Sequence, residues 1–516
     1  MEVNVGQMFA NRAFLTPDLE AFVGKDYRYS FDEANKRVNR IAGLFKKKGV
    51  SRGDRIAVLG KNNEHVATSL FGASKIGALT VLLNWRLQAP ELAYILSDCG
   101  ASMLIYDGAF SGAVDQLRSA IPAKTFIRVG EGSPSDIELN EALDGISPDE
   151  PGIAGGGEDP TLLMYTSGTT GKAKGATLTH NNLFWASIGL THTIDWPHES
   201  RYLSVAPLFH IGGLAPIMAN VHAGCTSIFM SDFHPVELWK TVVEERITLL
   251  MTVPVMLKHM KMVPFEKMDL SSLRQIICGG SAVPPDLIAA YRRSGVKVQH
   301  VYGATEYSGA ITFWTHDMDL DKIDSMGKPV FHGDVKILNP VTGAELPAGQ
   351  VGEICLFGPQ VFKGYWNNEK YTMEAIKDGC FKSGDLGKKD EDGYVYVIDR
   401  LKDMIISGGE NIYPAEIELV LQNHPGVADV AVTGKLDEKW GEIPVAFIVK
   451  QPNVDIEEEA IVETCRKNLA GYKCVKEVRF VDAIPRNSVG KILKAALREI
   501  LTGPQGSPEG KISLRK

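Results

Sequence analysis

The first hundred residues alternate between two hydrophobic periods, and this alternation limits the possible folds more than any other feature. Short apolar strands are predicted at residues 55–59, 79–84 and 102–106, and amphipathic helices at residues 32–48, 64–76 and 90–98. Ser30 followed by Glu33 is a capping-box pattern that starts the first of these helices. Because neighbouring parallel strands need helical crossovers, the pattern predicts an α/β fold with a mainly parallel sheet covered on both faces.

The chain changes its pattern further along, which predicts more than one domain for its 516 residues. Helix–strand alternation resumes after a predicted surface loop at 130–158, and from 327 to 399 short strands between turns predict a small β-barrel-like unit. A compact α+β pattern follows, with a last amphipathic helix at 491–501. We therefore predict a large N-terminal domain, residues 1–400, joined by a hinge to a small α+β C-terminal domain, residues 401–516.

Composition excludes several classes of protein. A net charge of −8 and a pI near 5.9 disfavour a nucleic-acid-binding surface. The seven cysteines never occur as C-x-x-C, and the first residues lack a signal-peptide pattern, so we expect free thiols and a cytoplasmic protein. Residues 202–231 contain no charged residue, but Pro207, Pro216 and the pair Gly212-Gly213 favour buried strands and turns over a transmembrane helix.

A hydroxyl- and glycine-rich run follows the apolar strand predicted at 161–164. It occupies residues 165–175 and reads Tyr-Thr-Ser-Gly-Thr-Thr-Gly-Lys-Ala-Lys-Gly. Glycines let the backbone direct its N–H groups to one point, hydroxyls add donors, and Lys172 and Lys174 add positive charge, which together predict a cradle for a polyphosphate. The run is not a Walker loop, because Ala173 follows Lys172 where that motif needs Ser or Thr.

With this run the chain resembles the adenylate-forming superfamily of acyl-CoA synthetases, peptide-synthetase adenylation domains and luciferases. Ala173 stands where the family usually has proline. Six further blocks resemble family signatures in the family's order, namely Gly279–Ala282, Tyr302–Glu306, Ser383–Leu386, Asp399–Asp403, Ser407–Asn411 and Pro485–Lys491. The resemblance covers nearly the whole chain, and it implies ATP, Mg²⁺ and coenzyme A (CoA) as the molecules that the protein uses.

The resemblance also implies individual roles at the nucleotide. Tyr302 would stack on adenine, Thr305 would contact the α-phosphate, Asp385 would hold the ribose with Arg400 nearby, and Lys491 would be the adenylation lysine. Glu306 and Thr170 are the implied metal ligands. The complete predicted nucleotide-binding set is Thr166, Ser167, Gly168, Thr169, Thr170, Gly171, Lys172, Gly280, Ser281, Ala282, Tyr302, Gly303, Ala304, Asp385, Val397 and Arg400.

The hinge and the CoA site are implied in the same way. Lys402 would be the pivot about which the C-terminal domain rotates, so that the segment around Gly408-Gly409 lines the pantetheine tunnel in the thioester-forming state. The predicted CoA-binding residues are Ser407, Gly408, Gly409, Glu410, Trp440, Arg86, Tyr472 and Lys473.

The run at 206–214, Ala-Pro-Leu-Phe-His-Ile-Gly-Gly-Leu, resembles the block that opens the acyl pocket. His210 would stand at the substrate carboxylate. Small and apolar neighbours suit an acid with an uncharged body. The predicted pocket residues are Phe209, His210, Gly212, Gly213, Leu214, Gly279, Val301 and Gly309.

Joining a carboxylate to a triphosphate requires positioning and charge neutralisation, because both reactants are anions. Lys491, Thr305, Glu306 and His210 are the predicted catalytic residues. The first interpretation is an AMP-forming acyl-CoA synthetase for a medium-chain fatty or related hydrophobic acid. An aryl-acid CoA ligase, a stand-alone adenylation domain that loads a carrier protein, and an adenylate-binding protein without catalysis stay open, although no carrier motif follows in this sequence. The expected partners are small molecules without nucleic acid or a transmembrane segment; peripheral membrane contact and self-association are left open.

Overall fold

The structure is a computed structural model that describes residues 2–166, 173–281, 283–407, 410–486 and 490–502. It divides into two compact units that interleave along the chain. The first unit comprises Met1–Lys336, Cys355–Ser383 and Asp390–Val395, and the second comprises Ile337–Ile354, Gly384–Lys389 and Tyr396–Lys516. These two units are not the domains predicted from the sequence, and the domain boundary near residue 400 stays a prediction.

Helices and strands alternate through most of the chain. The helices are α1 (Val5–Leu15), α2 (Phe31–Lys47), α3 (Glu64–Lys75), α4 (Ala89–Cys99), α5 (Ser111–Leu117), α6 (Leu139–Leu143), α7 (His180–Thr193), α8 (Ile211–Ala223), α9 (Pro235–Glu244), α10 (Pro254–Lys261), α11 (Pro285–Arg293), α12 (Glu369–Ala375), α13 (Pro414–Gln422), α14 (Glu458–Asn468) and α15 (Lys494–Thr502). The strands are β1 (Glu20–Val23), β2 (Arg28–Ser30), β3 (Arg55–Leu59), β4 (Leu79–Leu82), β5 (Met103–Asp107), β6 (Thr125–Val129), β7 (Ile137–Glu138), β8 (Pro160–Thr166), β9 (Lys174–Thr179), β10 (Arg201–Ser204), β11 (Thr226–Phe229), β12 (Leu249–Thr252), β13 (Gln275–Gly279), β14 (Val298–Ala304), β15 (Gly309–Trp314), β16 (Lys328–Pro329), β17 (Asp334–Leu338), β18 (Gly352–Phe357), β19 (Gly364–Tyr365), β20 (Ile376–Lys377), β21 (Cys380–Lys389), β22 (Val395–Arg400), β23 (Ile405–Ser407), β24 (Glu410–Ile412), β25 (Val427–Asp437), β26 (Gly441–Lys450) and β27 (Glu477–Phe480).

One sheet of the first unit has the order β19-β9-β8-β4-β3-β5-β6-β7. Strands β8, β4, β3, β5, β6 and β7 run parallel, whereas β9 at one edge pairs antiparallel with both β8 and β19. The predicted capping box at Ser30 and Glu33 is confirmed at the start of α2. The surface-loop prediction is wrong for residues 137–143, because β7 extends the sheet and α6 buries Leu139 and Leu143.

The second sheet of this unit has the order β16-β15-β14-β13-β12-β10-β11-β1-β2. Its central strands β1, β11, β10, β12, β13 and β14 are parallel, and β15 pairs antiparallel with β14. The uncharged segment at 202–231 forms most of β10, α8 and β11, nearly all of it buried, as the sequence predicts. Within the described ranges, no helix combines the length and the apolar character needed to cross a membrane.

The second unit contains a sheet of order β24-β23-β26-β25, with β27 beside β26. Side chains of α13 and α14, including Ile417, Leu421 and Ile461, pack in one core of this unit. Leu497 of α15 packs in another, with Phe447. The predicted last helix differs in its start: it begins at Lys494, so Lys491 precedes the helix. A further sheet has the order β17-β18-β21-β20, with β22 beside β21.

Candidate functional site

The carboxyl ends of β13 and β14 lie side by side in the first unit, and ligands of α/β sheets bind at such an edge. The parallel register pairs Gly279 with Val301. Gly280 follows β13 with a φ of 86°, a backbone conformation that glycine adopts without strain. Gly280 and Ser281 are exposed. Tyr302, Gly303 and Ala304 complete β14, so the structure brings two predicted nucleotide-binding blocks to one edge.

Glu306 lies in the 3₁₀ turn Thr305–Tyr307 that follows β14. Its Oε1 accepts a hydrogen bond from the Tyr365 hydroxyl at 2.9 Å and a longer one from Thr166 Oγ1 at 3.5 Å. Thr166 ends β8 and is the second residue of the predicted polyphosphate run. The structure therefore places the predicted metal ligand beside the first residue of the predicted phosphate-binding set.

Nine predicted residues lie outside the described residues: Ser167, Gly168, Thr169, Thr170, Gly171, Lys172, Ala282, Gly408 and Gly409. The two ends of the polyphosphate run, in β8 and β9, are described. They form an antiparallel pair in which Thr166 is opposite Lys174. The ammonium of Lys174 lies over the Tyr371 ring, 3.4 Å from its centroid, and 5.3 Å from that of Tyr365.

Most of the predicted acyl-pocket residues gather near the start of α8. His210 occupies the N-cap position, and its carbonyl accepts hydrogen bonds from the amides of Gly213 and Leu214. Its ring centroid is 4.4 Å from that of Phe209. His210 Nε2 is buried and has no hydrogen-bond partner in the described part of the chain. Burial, and then the nearby Arg86, lower the pKa of His210 to about 4, so its imidazole is neutral at physiological pH.

The glycines of this pocket leave space that side chains would fill. A Cβ at Gly213 would collide with the main-chain oxygen of Pro207. At Gly212 it would stand 3.1 Å from the Met251 methyl group, and at Gly309 3.3 Å from Ala215 Cβ. These contacts bring β12, α8 and β15 to one pocket. Leu214 is fully buried.

Arg86, predicted to bind CoA, lies beside these pocket residues in the first unit. Its guanidinium carbon is 4.4 Å from the Trp85 ring centroid and 5.6 Å from the Phe209 ring centroid. Burial lowers its pKa from the ordinary arginine value. A cation stacked on aromatic rings presents its remaining N–H groups to an anion.

The second unit contains a cluster of predicted nucleotide and hinge residues. Arg400 Nε is 2.5 Å from Asp385 Oδ1, on adjacent strands. Although part of the Lys491 side chain is exposed, burial lowers the pKa of its ammonium to about 8, and the cations Arg400 and Lys402 act in the same direction. Asp385 and Asp403 partly oppose that change. The structure thus brings four predicted residues together, while Val397 lies on β22 with Arg400.

Within the second unit, the hinge block contacts α13 and α15. The amide of Ala415, at the start of α13, donates to Asp399 Oδ2 at 2.9 Å. Asp403, which is buried, forms a 2.8 Å ion pair with Arg498 of α15. Burial lowers the pKa of Lys402, which lies between these anchored aspartates in the turn Leu401–Asp403.

Three predicted CoA-binding residues come together around β23. Ser407 pairs with Glu410 across β23 and β24 and with Gly441 across β23 and β26. Trp440 precedes Gly441 and is 46% exposed. Lys473, by contrast, is held by Glu416 through two contacts of 2.7 Å, which raise the lysine's pKa, and its ammonium is 5.7 Å from the ring centroid of the half-exposed Tyr472.

The described residues fit a magnesium ion that arrives with a nucleotide. No group of three or more His, Cys, Asp or Glu side chains among them is arranged to hold a metal. Mg²⁺ needs no such cage, since it commonly keeps several waters and binds one or two carboxylates together with substrate phosphates. The Glu306 carboxylate can supply that contact, because its described hydrogen bonds both fall on Oε1.

Sequence reasoning missed two residues of these sites. Tyr365 belongs to no block that the sequence singled out, and the sheet pairing of β19 reveals it. Met251 is the one residue of β12 that is not fully buried. A partly exposed residue in an otherwise buried strand indicates a cavity wall, but that signal exists only in the structure.

Comparison with known proteins identifies the family. A family model described as AMP-binding enzyme matches residues 9–366, and one described as AMP-binding enzyme C-terminal domain matches residues 416–491. A long-chain-fatty-acid–CoA ligase of Mycobacterium tuberculosis is 39% identical over 96% of this chain and 98% of its own length. A feruloyl-CoA synthase of Amycolatopsis sp is also 39% identical, over 96% of this chain and 98% of that protein.

A solved structure gives the same result for the fold. The O-succinylbenzoate coenzyme A synthetase of Bacillus subtilis, in complex with ATP and magnesium ion, superposes with a TM-score of 0.85 at 31% identity. The match covers 95% of this chain and 98% of that one. The chain therefore belongs to the AMP-binding enzyme family and, within it, to the adenylate-forming acyl-CoA synthetases.

Proposed function

We propose that the protein converts a medium-chain fatty acid, or a related hydrophobic acid, with ATP and CoA into acyl-CoA, AMP and pyrophosphate. The observation that carries the proposal is the cluster of Lys491, Asp385 and Arg400 in the second unit. The ammonium is that of Lys491, and the nearby cation Arg400 is already paired with Asp385. The Lys491 ammonium is therefore suited to bind an anion from outside the protein. The α-phosphate and the acid carboxylate are such anions.

The first half-reaction joins two anions. A carboxylate oxygen of the acid attacks the α-phosphorus of ATP, the bond to the bridging oxygen breaks, and pyrophosphate leaves. Mg²⁺, held by Glu306 and predicted also at Thr170, would supply neutralisation of the phosphate charge. Lys491 would stabilise the developing charge at the α-phosphate, with Thr305 as a hydroxyl donor. His210, neutral above a pH of about 4, would donate one N–H to the acid carboxylate without adding charge.

The second half-reaction forms the thioester. The CoA sulfur attacks the acyl carbon of the adenylate, the bond to the phosphate oxygen breaks, and AMP leaves with the electron pair. The candidates for lining the pantetheine tunnel are Ser407 of β23 and its neighbours Glu410 and Trp440, together with the predicted residues Gly408 and Gly409. Arg86, Tyr472 and Lys473 remain proposed contacts of the CoA nucleotide, and Lys402 remains the proposed pivot between the half-reactions.

The apolar character of the pocket supports a hydrophobic acid. The side chains that a Cβ at Gly212 or Gly309 would meet are those of Met251, Ala215 and Ile211. Apolar walls bind an alkyl chain by removing its surface from water, at roughly 25 cal/mol per Å². A charged acid body would find no partner among these three side chains.

A second candidate function, an aryl-acid CoA ligase, has a specific observation in its favour. Trp85 and Phe209 meet edge to face with centroids 6.3 Å apart, and such a wall suits an aromatic ring. The feruloyl-CoA synthase and the succinylbenzoate synthetase among the relatives are named for aromatic acids. The two candidates share both half-reactions and differ only in the acid.

Pyrophosphate–ATP exchange separates these candidates. Exchange is measured with butyrate, octanoate, palmitate, benzoate and ferulate, and thioester formation is then measured by mass spectrometry with CoA present. We expect the highest kcat/KM with octanoate and a CoA thioester as the product. A maximum with benzoate or ferulate would establish the aryl-acid ligase instead. Exchange without a thioester would identify a carrier-loading adenylation domain, and the absence of exchange with every acid would refute adenylation.

A further inference from the structure

The segment that follows β18 joins the two parts of the predicted metal–phosphate site in the first unit. Its strand β19 pairs antiparallel with β9, so that Tyr365 is opposite Ala176. The amide of Trp366 donates to the Gly175 carbonyl at 2.7 Å, at the end of the polyphosphate run. On the other side, the amide of Phe362 donates to the main-chain carbonyl of Glu306 at 2.9 Å.

Tyr365 makes both polar and ring contacts from this position. Its hydroxyl donates to Glu306 Oε1 at 2.9 Å, and its ring centroid is 5.3 Å from the Lys174 ammonium. The ring also meets Phe362 edge to face, at 4.9 Å between centroids. Packing therefore restrains the tyrosine, and the tyrosine in turn restrains the carboxylate.

Both hydrogen bonds to the Glu306 carboxylate fall on the same oxygen. Oε1 accepts from Tyr365 and Thr166, whereas Oε2 accepts none from the described residues. A hydroxyl fixed on one oxygen sets the rotation of the carboxylate and so directs the second oxygen. Residues that orient a metal ligand in this way typically change metal affinity 10- to 100-fold when mutated.

We propose that Tyr365 is a positioning residue that orients Glu306 for the magnesium ion bound with ATP. This inference rests on the proposed adenylation function and on Glu306 as the metal ligand. It adds a residue outside every signature block of the sequence. Gly364 serves the same arrangement: its φ is 139°, and a Cβ there would stand 2.5 Å from Thr372 Cγ2, so only glycine lets β19 lie against β9 at this place.

The main variant is Tyr365→Phe, which keeps the ring and removes only the hydroxyl. Tyr371→Phe is the matched control, because Tyr371 contacts the same lysine and makes no hydrogen bond to Glu306 in the structure. The binding of α,β-methylene-ATP, which carries the phosphates and does not react at the α-phosphorus, is measured by calorimetry with Mg²⁺ and with EDTA.

We expect Tyr365→Phe to weaken binding in Mg²⁺ about tenfold and to change binding in EDTA less than twofold. Tyr371→Phe should change neither. In pyrophosphate exchange, Tyr365→Phe should raise the Mg²⁺ concentration for half-maximal rate about tenfold, with a plateau within about threefold of the wild-type plateau. Equal losses in Mg²⁺ and EDTA, or a lowered plateau at an unchanged Mg²⁺ requirement, would show a merely structural tyrosine and overturn the proposal.

A double-mutant cycle with Glu306→Gln provides the second measurement. If Tyr365 acts through Glu306, the double variant should bind the analogue in Mg²⁺ no more weakly than Glu306→Gln alone. Additive losses would overturn the proposal even if Tyr365→Phe lowered stability. Failure of the proposed function is a separate outcome: wild-type protein would then exchange no pyrophosphate with any acid, whatever the Tyr365 variants bind.

Discussion

Lys491→Ala is the most direct perturbation of the proposed adenylation step. Two opposite charges about 4 Å apart interact by roughly 4 kcal/mol at an effective dielectric constant near 20. Arg400 cannot replace the lost charge, because its Nε is held 2.5 Å from Asp385. Each ~1.36 kcal/mol corresponds to a factor of ten in rate, so we expect adenylation to slow about a thousandfold.

The assay separates the two half-reactions. Rapid quench of a single turnover of ATP with octanoate measures adenylation, and CoA added to synthetic octanoyl-AMP measures thiolysis. We expect thiolysis to change less than about tenfold, because no phosphorus is attacked in that step. Lys467→Ala, in an exposed pair with Glu463, is the control and should alter neither rate. Equal losses in both half-reactions would refute the assigned role of Lys491.

Three further predictions concern the pH dependence of adenylation, the acyl pocket and a buried lysine. The kcat/KM of adenylation should fall as pH rises through about 8, because burial and the neighbouring Arg400 lower the pKa of Lys491 to about that value and the ammonium is charged only below it; a profile that stays level to pH 9.5 would contradict this. Gly213→Ala should lower acid activation and cost about 2 kcal/mol of stability in urea unfolding, because its Cβ would collide with Pro207, whereas Gly112→Ala meets nothing within 4 Å. Lys75→Ala should lower the free energy of unfolding by about 3 kcal/mol, because the fully buried ammonium donates hydrogen bonds to Asn35, Asn39 and Glu150. Lys36→Ala, which removes the exposed ion pair with Asp32, is the comparison. Equal small losses of stability in both variants would contradict the structural role of Lys75.

The local part of the fold could be predicted from the sequence. The strand predicted at 55–59 has the bounds that the structure shows, because an apolar run between turn residues carries that information locally. The order of the strands could not be predicted. β19 lies beside β9 although the two are far apart in the chain, and no local pattern records such a pairing.

The candidate sites divide in the same way. Glu306, Asp385 and Lys491 could be predicted from the sequence, because each lies in a block that resembles a signature of the family. Motifs did not reveal the pKa of Lys491, which depends on burial and on charges contributed by β21, β22 and the turn after it. They did not reveal Tyr365 either, because its role depends on which oxygen its hydroxyl contacts.

Two carboxylates of the candidate sites, Glu306 and Asp385, are each held in place by a neighbouring side chain. Glu306 is held by Tyr365, and Asp385 by Arg400, so much of the entropy of fixing these side chains is lost during folding rather than at each turnover. Pre-organised groups contribute to a rate only if they stay aligned as charge develops, and alignment depends on single hydrogen bonds. Substitutions that keep shape and remove one donor therefore test this mechanism better than truncations, which remove charge, packing and orientation at once.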